Sequence, residues 1–333
     1  MKRSIVVFSA VLLLAGTDLQ AQRFEVPAES GSRWFRGNTH THTLESDGDS
    51  PPEVVARWYR DHGYNFLVLS DHNVWTDPGK LAHLQDTTFL LIPGEEVTSS
   101  FDRKPVHVNG LNLPHLVEPR TDSTLVGTIQ RNVDAVREVD GVPHINHPNF
   151  GWAMDHHVLA QVRNDRLLEI FNGHPQVHNE GGGDAPGLEE VWDHLLTGGK
   201  RIYGIAVDDA HHFTGEFARD RANPGRGWVV VRADRLEAVE ILQRMEAGEF
   251  YATTGVEIDD IRISATRLEI DIRPYQNFKY TTEFIGSGGQ VLKRAGGERA
   301  VYELDDDGTG YVRARITDSG GAVAWIQPVF VQR

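Results

Sequence analysis

Phe66-Leu67-Val68-Leu69-Ser70-Asp71-His72 joins a short apolar run to an acid and an imidazole. Four consecutive apolar residues without polar alternation read as a strand buried on both faces, the kind found in a parallel sheet. The same arrangement recurs along the chain. Trp34 to Thr39 leads into His40-Thr41-His42, with Ser46-Asp47-Gly48 just beyond, and Phe89-Leu90-Leu91-Ile92 leads into Gly94-Glu95-Glu96. Val106 to Leu113 carries His107, Gly141 to Asn146 leads into His147-Pro148, and Arg201 to Val207 leads into Asp208-Asp209-Ala210-His211. Helical stretches alternate with these runs at Pro51 to His62, Leu125 to Val139, about Leu188 to Leu196 and about Leu236 to Ala247. In the first, Pro51 and Pro52 suit a first turn, and Val54, Val55 and Trp58 form one apolar face. Repeated strand–helix units predict an α/β fold with a parallel sheet covered by helices. About seven units fit a closed or nearly closed barrel, in which functional groups gather at the C-terminal strand ends.

From Val256 the texture changes. Arg267 to Arg273 and Tyr311 to Ile316 alternate strictly, and turn signals such as Gly286-Ser287-Gly288-Gly289, Asp305-Asp306-Asp307-Gly308 and Ser319-Gly320-Gly321 recur. This predicts a small all-β, immunoglobulin-like sandwich. The expected division is a targeting segment at 1–22, an α/β unit at 23–255 and a β-sandwich at 256–333.

The chain has 333 residues, 39% hydrophobic and 24% charged, an ordinary globular composition. Its net charge of −15 and the lack of a basic stripe argue against nucleic acid as a partner and leave a small-molecule substrate. Lys2 and Arg3 precede an apolar stretch from Ile5 to Ala15, and Leu19-Gln20-Ala21 offers a cleavage site. This reads as a signal peptide, too short to span a bilayer comfortably, so the expectation is an exported protein without a membrane anchor. There are no cysteines, which excludes disulfides and Cys-type zinc sites. Oligomeric state is not written in the sequence.

Imidazole and carboxylate hold divalent metals. His40-x-His42 puts two rings on one side of an extended segment, and Asp209-x-His211 does the same with one oxygen and one nitrogen ligand. A turn at Ser46-Asp47-Gly48 can fold the Asp47 carboxylate back, and Asp71 can orient a neighbour of His72. Glu95 competes with Glu96, and spacing does not choose between them. His144 competes with His147, which Pro148 favours by fixing the backbone. Asp208 and His212 flank the last pair. The loop Asn172 to Asn179 offers His174 or His178 as acid to a leaving group and Asn179 as a substrate contact; Arg226 is a candidate for anion binding.

The ordered set Gly37-Asn38-Thr39-His40-Thr41-His42, Ser46-Asp47-Gly48, Ser70-Asp71-His72, Pro93-Gly94-Glu95-Glu96, His147-Pro148 and Asp209-Ala210-His211 resembles the polymerase-and-histidinol-phosphatase (PHP) domain over about residues 33–253. The resemblance implies a distorted (β/α)7 barrel holding two or three divalent ions such as Zn, Mn or Fe. It implies as metal ligands His40, His42, Asp47, His72, Glu96, His107, His147, Asp209 and His211. Its position at Asp47 is often histidine, and aspartate there favours a harder metal or a two-metal site. The exported form with a β-rich tail also resembles secreted PHP hydrolases related to carbaryl hydrolase. The chemistry implied is hydrolysis of a small phosphate ester by a hydroxide generated on the metals, with Asp209 taking or returning the proton. The rival readings are a carbamate, ester or amide metallohydrolase, and a non-catalytic secreted binding module.

Overall fold

The computed structural model describes residues 22–27, 31–305 and 308–332. The signal peptide expected at 1–22 therefore lies outside the described residues, apart from Gln22. The chain runs β1 (Arg23–Phe24), β2 (Arg33–Asn38), α1 (Pro52–Asp61), β3 (Phe66–Leu69), β4 (Leu90–Phe101), β5 (Lys104–Leu111), α2 (Leu125–Arg137) and β6 (Val142–Ile145). It continues through α3 (His156–Leu159), β7 (Leu167–Asn172), α4 (Leu188–Thr197), β8 (Tyr203–Val207), β9 (Trp228–Ala233), α5 (Ala238–Glu246) and β10 (Phe250–Thr253). Seven further strands follow: β11 (Ile258–Ser264), β12 (Arg267–Ile272), β13 (Tyr280–Gly286), β14 (Gln290–Gly296), β15 (Arg299–Glu303), β16 (Tyr311–Asp318) and β17 (Val323–Gln332).

One large mixed sheet has the order β14-β13-β16-β17-β10-β9-β2-β3-β4-β5-β6-β7-β8, with β1 on β17. The apolar runs behave as their composition requires: every residue of β3, β6 and β8 is buried. The expected all-parallel sheet is not what forms. The pairs β2–β3, β3–β4, β6–β7 and β7–β8 are parallel, but β4–β5, β5–β6, β2–β9 and β9–β10 are antiparallel. The reason is local. β4 turns straight back into β5 through Asp102 and Arg103, and a strand that returns without a crossover must pair antiparallel.

The sheet curls until the segments following β2 and β8 meet. The His42 N–H donates to the Ala210 carbonyl at 2.9 Å and the Asp209 N–H to the His40 carbonyl at 3.0 Å, around a parallel bridge between Thr41 and Ala210. On the edge away from β3, β2 is paired with β9 along Arg33 to Gly37. The Gln327 side chain bonds β8, accepting from the Gly204 N–H at 2.9 Å and donating to the Gly204 carbonyl at 2.8 Å. A buried amide thus completes two backbone groups that β8 leaves open on that side.

A second sheet, β11-β12-β15, faces the β13, β16 and β17 end of the large one. Leu268, Ile270 and Ile272 pack with Phe284, Val312, Ala314, Ile316 and Ile326 in one core between them. The C-terminal strands are continuous with the main sheet through β10–β17. Arg313 on β16, buried, pairs with Asp193 and Glu189 of α4.

Candidate metal centre

Strand ends deliver the cluster. His40 and His42 follow β2, His72 follows β3, His147 follows β6, and Asp209 and His211 follow β8. β4 and β5 run past the end of β3 as a hairpin, which carries Glu96 and His107. Two of the nine residues sit on left-handed backbone, His147 at φ 21° and Asp209 at φ 48°. Such strain in non-glycine residues persists where surrounding contacts over-determine it.

Glu96 lies at the centre. Its Oε1 is 2.9 Å from His107 Nδ1, 3.3 Å from His147 Nε2 and 3.5 Å from His40 Nε2. Its Oε2 is 2.8 Å from His72 Nδ1 and 3.5 Å from His42 Nε2. Asp209 Oδ1 is 3.2 Å from His42 Nε2 and 3.3 Å from His40 Nε2. Asp47 Oδ1 is 3.3 Å from His211 Nε2 and 3.4 Å from His42 Nδ1. The nine residues fall into four chelating sets, each with ligand atoms within 4.8 Å of one another: His42, Asp47, His72 and His211; His40, His42 and Asp209; His40, Glu96 and His147; His72, Glu96 and His107. Glu96 belongs to two sets, as a carboxylate bridging two cations would.

The donor set fits metal ions. Buried Glu96 Oε2 and His107 Nδ1 have close neighbours but no hydrogen-bond partner, so distance is satisfied without hydrogen-bond direction. His40 Nε2 and His42 Nε2 face each other at 3.2 Å. Charge balance agrees. Burial alone would raise Glu96 and Asp209, yet the surrounding imidazoles hold both well below the ordinary carboxylate range. Without a cation that requires protonated rings: burial opposes charging His72, but Asp47 and Glu96 push it up to about 10. Burial and then His211 push His42 down to about 4. Divalent ions bind the neutral imidazoles and ionised carboxylates of such a set.

The supporting layer holds a residue that the sequence reading passed over. Buried Glu169, inside β7, contacts His40 Nδ1 through Oε1 at 2.6 Å and accepts the His147 N–H on Oε2 at 2.7 Å. Asn172 Nδ2 donates to Glu169 Oε2 and to Asp209 Oδ2 at 2.9 and 3.0 Å. Asn146 Nδ2 donates to Glu96 Oε1 at 2.7 Å. A carboxylate inside the apolar run Leu167-Leu168-Glu169-Ile170-Phe171 was the available signal for Glu169. Asp71 orients the loop rather than a ring: it accepts from the Thr43 N–H, Thr43 Oγ1 and Ser46 Oγ, just ahead of Asp47.

The competing residues separate cleanly. Glu95 turns away and accepts the Val117 N–H at 2.5 Å, and burial pushes its carboxyl up to about 7. His144 lies buried beside Glu169 and the Thr39 carbonyl. Asp208 accepts from the Tyr59 hydroxyl and from the N–H groups of Gly225, Arg226 and Gly227.

The residues expected to act on substrate divide. His174 adjoins the cluster, its ring centre 5.2 Å from that of His211. His178 stands on the rim, stacked on Trp152 at 4.6 Å. Asn179 clamps Asn172, accepting its N–H and donating to its carbonyl. Arg226 donates to the carbonyls of Gly173, Ala218 and Arg219, so its guanidinium ties loops together. These bonds give Asn179 and Arg226 a structural task in the loops around the site.

No family model and no curated protein matches the sequence. Among solved structures, a two-domain protein from Bacteroides vulgatus containing a predicted PHP-like metal-dependent phosphoesterase is similar, with a TM-score of 0.50 and 16% identity over 88% of this chain and 93% of that one. A protein from Bifidobacterium adolescentis, proposed to be a metal-dependent phosphoesterase, overlaps at a TM-score of 0.41 and 14% identity, covering 60% of this chain and 91% of that one. An amidohydrolase from Chromobacterium violaceum, solved with sulfate and no metal, overlaps at 0.38 and 13% identity, covering 64% and 96%. The first overlap amounts to a shared fold; the other two are too loose to carry weight.

Proposed function

We propose that this chain is an exported metal-dependent hydrolase of the PHP type, acting on a small phosphate ester. One observation carries the reading: nine imidazole and carboxylate groups converge in four overlapping chelating sets, with Glu96 shared between two of them. The shared fold of the two-domain PHP-like structure supports it. We read the curled sheet as a distorted (β/α)7 barrel over residues 23–255, and residues 256–333 as an immunoglobulin-like accessory unit. No helix among the described residues is long and apolar enough to cross a membrane.

Two or three Zn, Mn or Fe ions held by these sets would supply an activated water at neutral pH and Lewis-acid neutralisation of phosphoryl charge. The protein's own groups do the rest. Glu169 fixes the His40 ring, and Asn172 holds Asp209 Oδ2, leaving Asp209 Oδ1 to take or return a proton. His174 accepts the Gln176 N–H on Nδ1, so its neutral ring carries hydrogen on Nε2 and can donate a hydrogen bond to charge developing on the leaving group, without giving up the proton. Burial lowers the His174 pKa, which keeps the ring uncharged at neutral pH.

A second reading, a carbamate, ester or amide hydrolase, gains from Arg226, whose guanidinium is committed to carbonyl groups instead of a phosphate. The deciding experiment is a hydrolysis panel on metal-reconstituted residues 22–333. It compares a phosphate monoester, a phosphate diester and an aryl ester or carbamate, each beside a His40→Ala/His42→Ala control. Phosphoester turnover that vanishes in the control supports the proposal. Turnover of the carbonyl substrate alone moves the protein to the second reading. Silence on all three with metal bound points to narrow specificity or to a binding module.

A further inference from the structure

An open groove of about 630 Å³ leads away from the cluster, lined by Thr98, Ser99, Ser100, Arg103, His107 and Phe150 among others. His107 is in a chelating set, so the groove begins at the cluster. Phe150 forms an apolar wall, its ring centre 5.2 Å from that of His147 and 6.3 Å from that of His107. At the far end stands Arg103, four residues before His107 and so about 13 Å along an extended backbone.

Two features set Arg103 apart. The first is its freedom: the guanidinium is exposed and makes no hydrogen bond, ion pair or ring contact among the described residues, whereas Arg226 donates to three backbone carbonyls. The second is its backbone. Phe101 pairs with Lys104, so Asp102 and Arg103 are the two central residues of a tight hairpin, at φ 47° and 65°. A type I′ turn needs positive φ at both places and favours glycine at the second. An arginine held there against its backbone preference presents a planar bidentate anion donor to the groove.

We propose that the groove binds the part of the substrate beyond the scissile bond, with Arg103 receiving a second anionic group there. The preferred substrates are then small organophosphates that also carry a carboxylate or a further phosphate, joined by an apolar or aromatic spacer lying against Phe150. This substrate class rests on the phosphoesterase reading; the anion site at Arg103 stands by itself.

The test uses non-hydrolysable probes on the metal-loaded protein. Affinities of phenylphosphonate, 4-phosphonobenzoate and benzene-1,4-diphosphonate are measured by calorimetry for wild type, Arg103→Gly and Arg103→Lys. Wild type should bind at least one doubly anionic probe about tenfold more tightly than phenylphosphonate, and which probe does so tells carboxylate from phosphate. Arg103→Gly should bring that ratio to within about twofold without lowering the unfolding temperature, because glycine suits the turn. Arg103→Lys should fall between. Equal affinities in wild type, or an unchanged ratio in Arg103→Gly, would overturn the proposal, as would no binding of any probe. An Arg103-dependent ratio without turnover of any phosphoester sinks the phosphoesterase reading and leaves the anion site standing. Turnover with equal affinities does the reverse.

Discussion

Arg313→Met tests how the C-terminal sheet is tied to the unit that carries the site. Arg313 Nε and Nη2 donate to Asp193 Oδ1 and Oδ2 at 2.7 and 2.6 Å, and Nη1 donates to Glu189 Oε1 at 2.7 Å. Arg313 is 1% exposed and Asp193 8%. The Tyr311 hydroxyl donates to Asp193 at 3.0 Å, and the guanidinium lies over the Trp192 ring at 4.9 Å. Methionine keeps much of the stem's packing but leaves Asp193 buried without its cation. Breaking a buried pair on one side is destabilising by about 3–5 kcal/mol. Asp193→Asn, which keeps the shape and loses the charge, should be destabilising by about 1.5–3 kcal/mol. The double variant has no orphaned charge at Asp193, so it should be more stable than the sum of the single losses predicts, by about 1.5–3 kcal/mol. The assay is urea unfolding at pH 7 followed by tryptophan fluorescence. Additivity of the two substitutions within about 0.5 kcal/mol would refute the reasoning and leave Arg313 a packing residue.

The contact of Arg313 with Glu189 sets a pH dependence. Burial alone would raise Glu189, but Arg313 and Arg315 hold it below its ordinary value of 4.5. A depressed carboxylate contributes stability above its unfolded pKa and loses it as pH falls through the folded one. The gap between wild type and Arg313→Met should therefore narrow on acidification below about pH 4.5. A gap that stays constant between pH 7 and pH 3.5 contradicts this.

Glu169→Gln should weaken metal binding by about 10–100-fold, because it disturbs the group that orients His40 and holds the His147 N–H; calorimetric titration with Zn or Mn checks it, and unchanged affinity would make Glu169 a bystander. His174→Ala should lower kcat by about 10²–10³-fold with metal content intact; loss of metal instead would mean that His174 supports the cluster. Gln327→Leu strips the buried Gly204 N–H and carbonyl of their partners, at about 1–3 kcal/mol each, and denaturant titration should show it. Chelation should lower the unfolding temperature and metal addition restore it, since a ligand at 100 times its Kd adds about 2.7 kcal/mol. Equal unfolding temperatures with and without chelator would argue that the cluster binds no ion.

Much of the site was legible because a ligand has few places to hide. An imidazole or carboxylate just past the C-terminal end of a strand has little packing role there, and His40, His42, His72, His147, Asp209 and His211 all stand in that position. Glu169 was hidden for the opposite reason. It lies inside its strand, where one charged position reads as a solvated face, and its burial becomes evident only once β6 and β8 flank β7. Sheet direction was equally out of reach. A strand buried on both faces has the same composition in either orientation, so Val106 to Leu111 could not announce that it returns antiparallel to β4. Nor could the sequence show that Asn179 and Arg226 bond backbone, which a polar side chain in a loop does as readily as it bonds a ligand.

The choice between Glu95 and Glu96 shows what sequence spacing lacks and register supplies. Neighbours in a strand point to opposite faces, so either carboxylate could meet the metals and only pairing decides. Pairing of Leu69 with Pro93 and of Thr98 with His107 puts Glu96, Thr98 and His107 on the side of His72. Thr98 Oγ1 then contacts His72 Nδ1 at 2.6 Å, while Val97 and Glu95 face the opposite side, with Val97 in the core beside Val117 and Leu113. A slip of one residue would bury Glu96 in that apolar layer and hand the metals Glu95. What prevents the slip is the two-residue turn at Asp102 and Arg103, which fixes every pair of the hairpin behind it. One short turn therefore sets Thr98 and Glu96 against His107 at one end of the groove and holds Arg103 at the other. Arginine at its second position, at the expense of turn geometry, is a choice that register alone did not require.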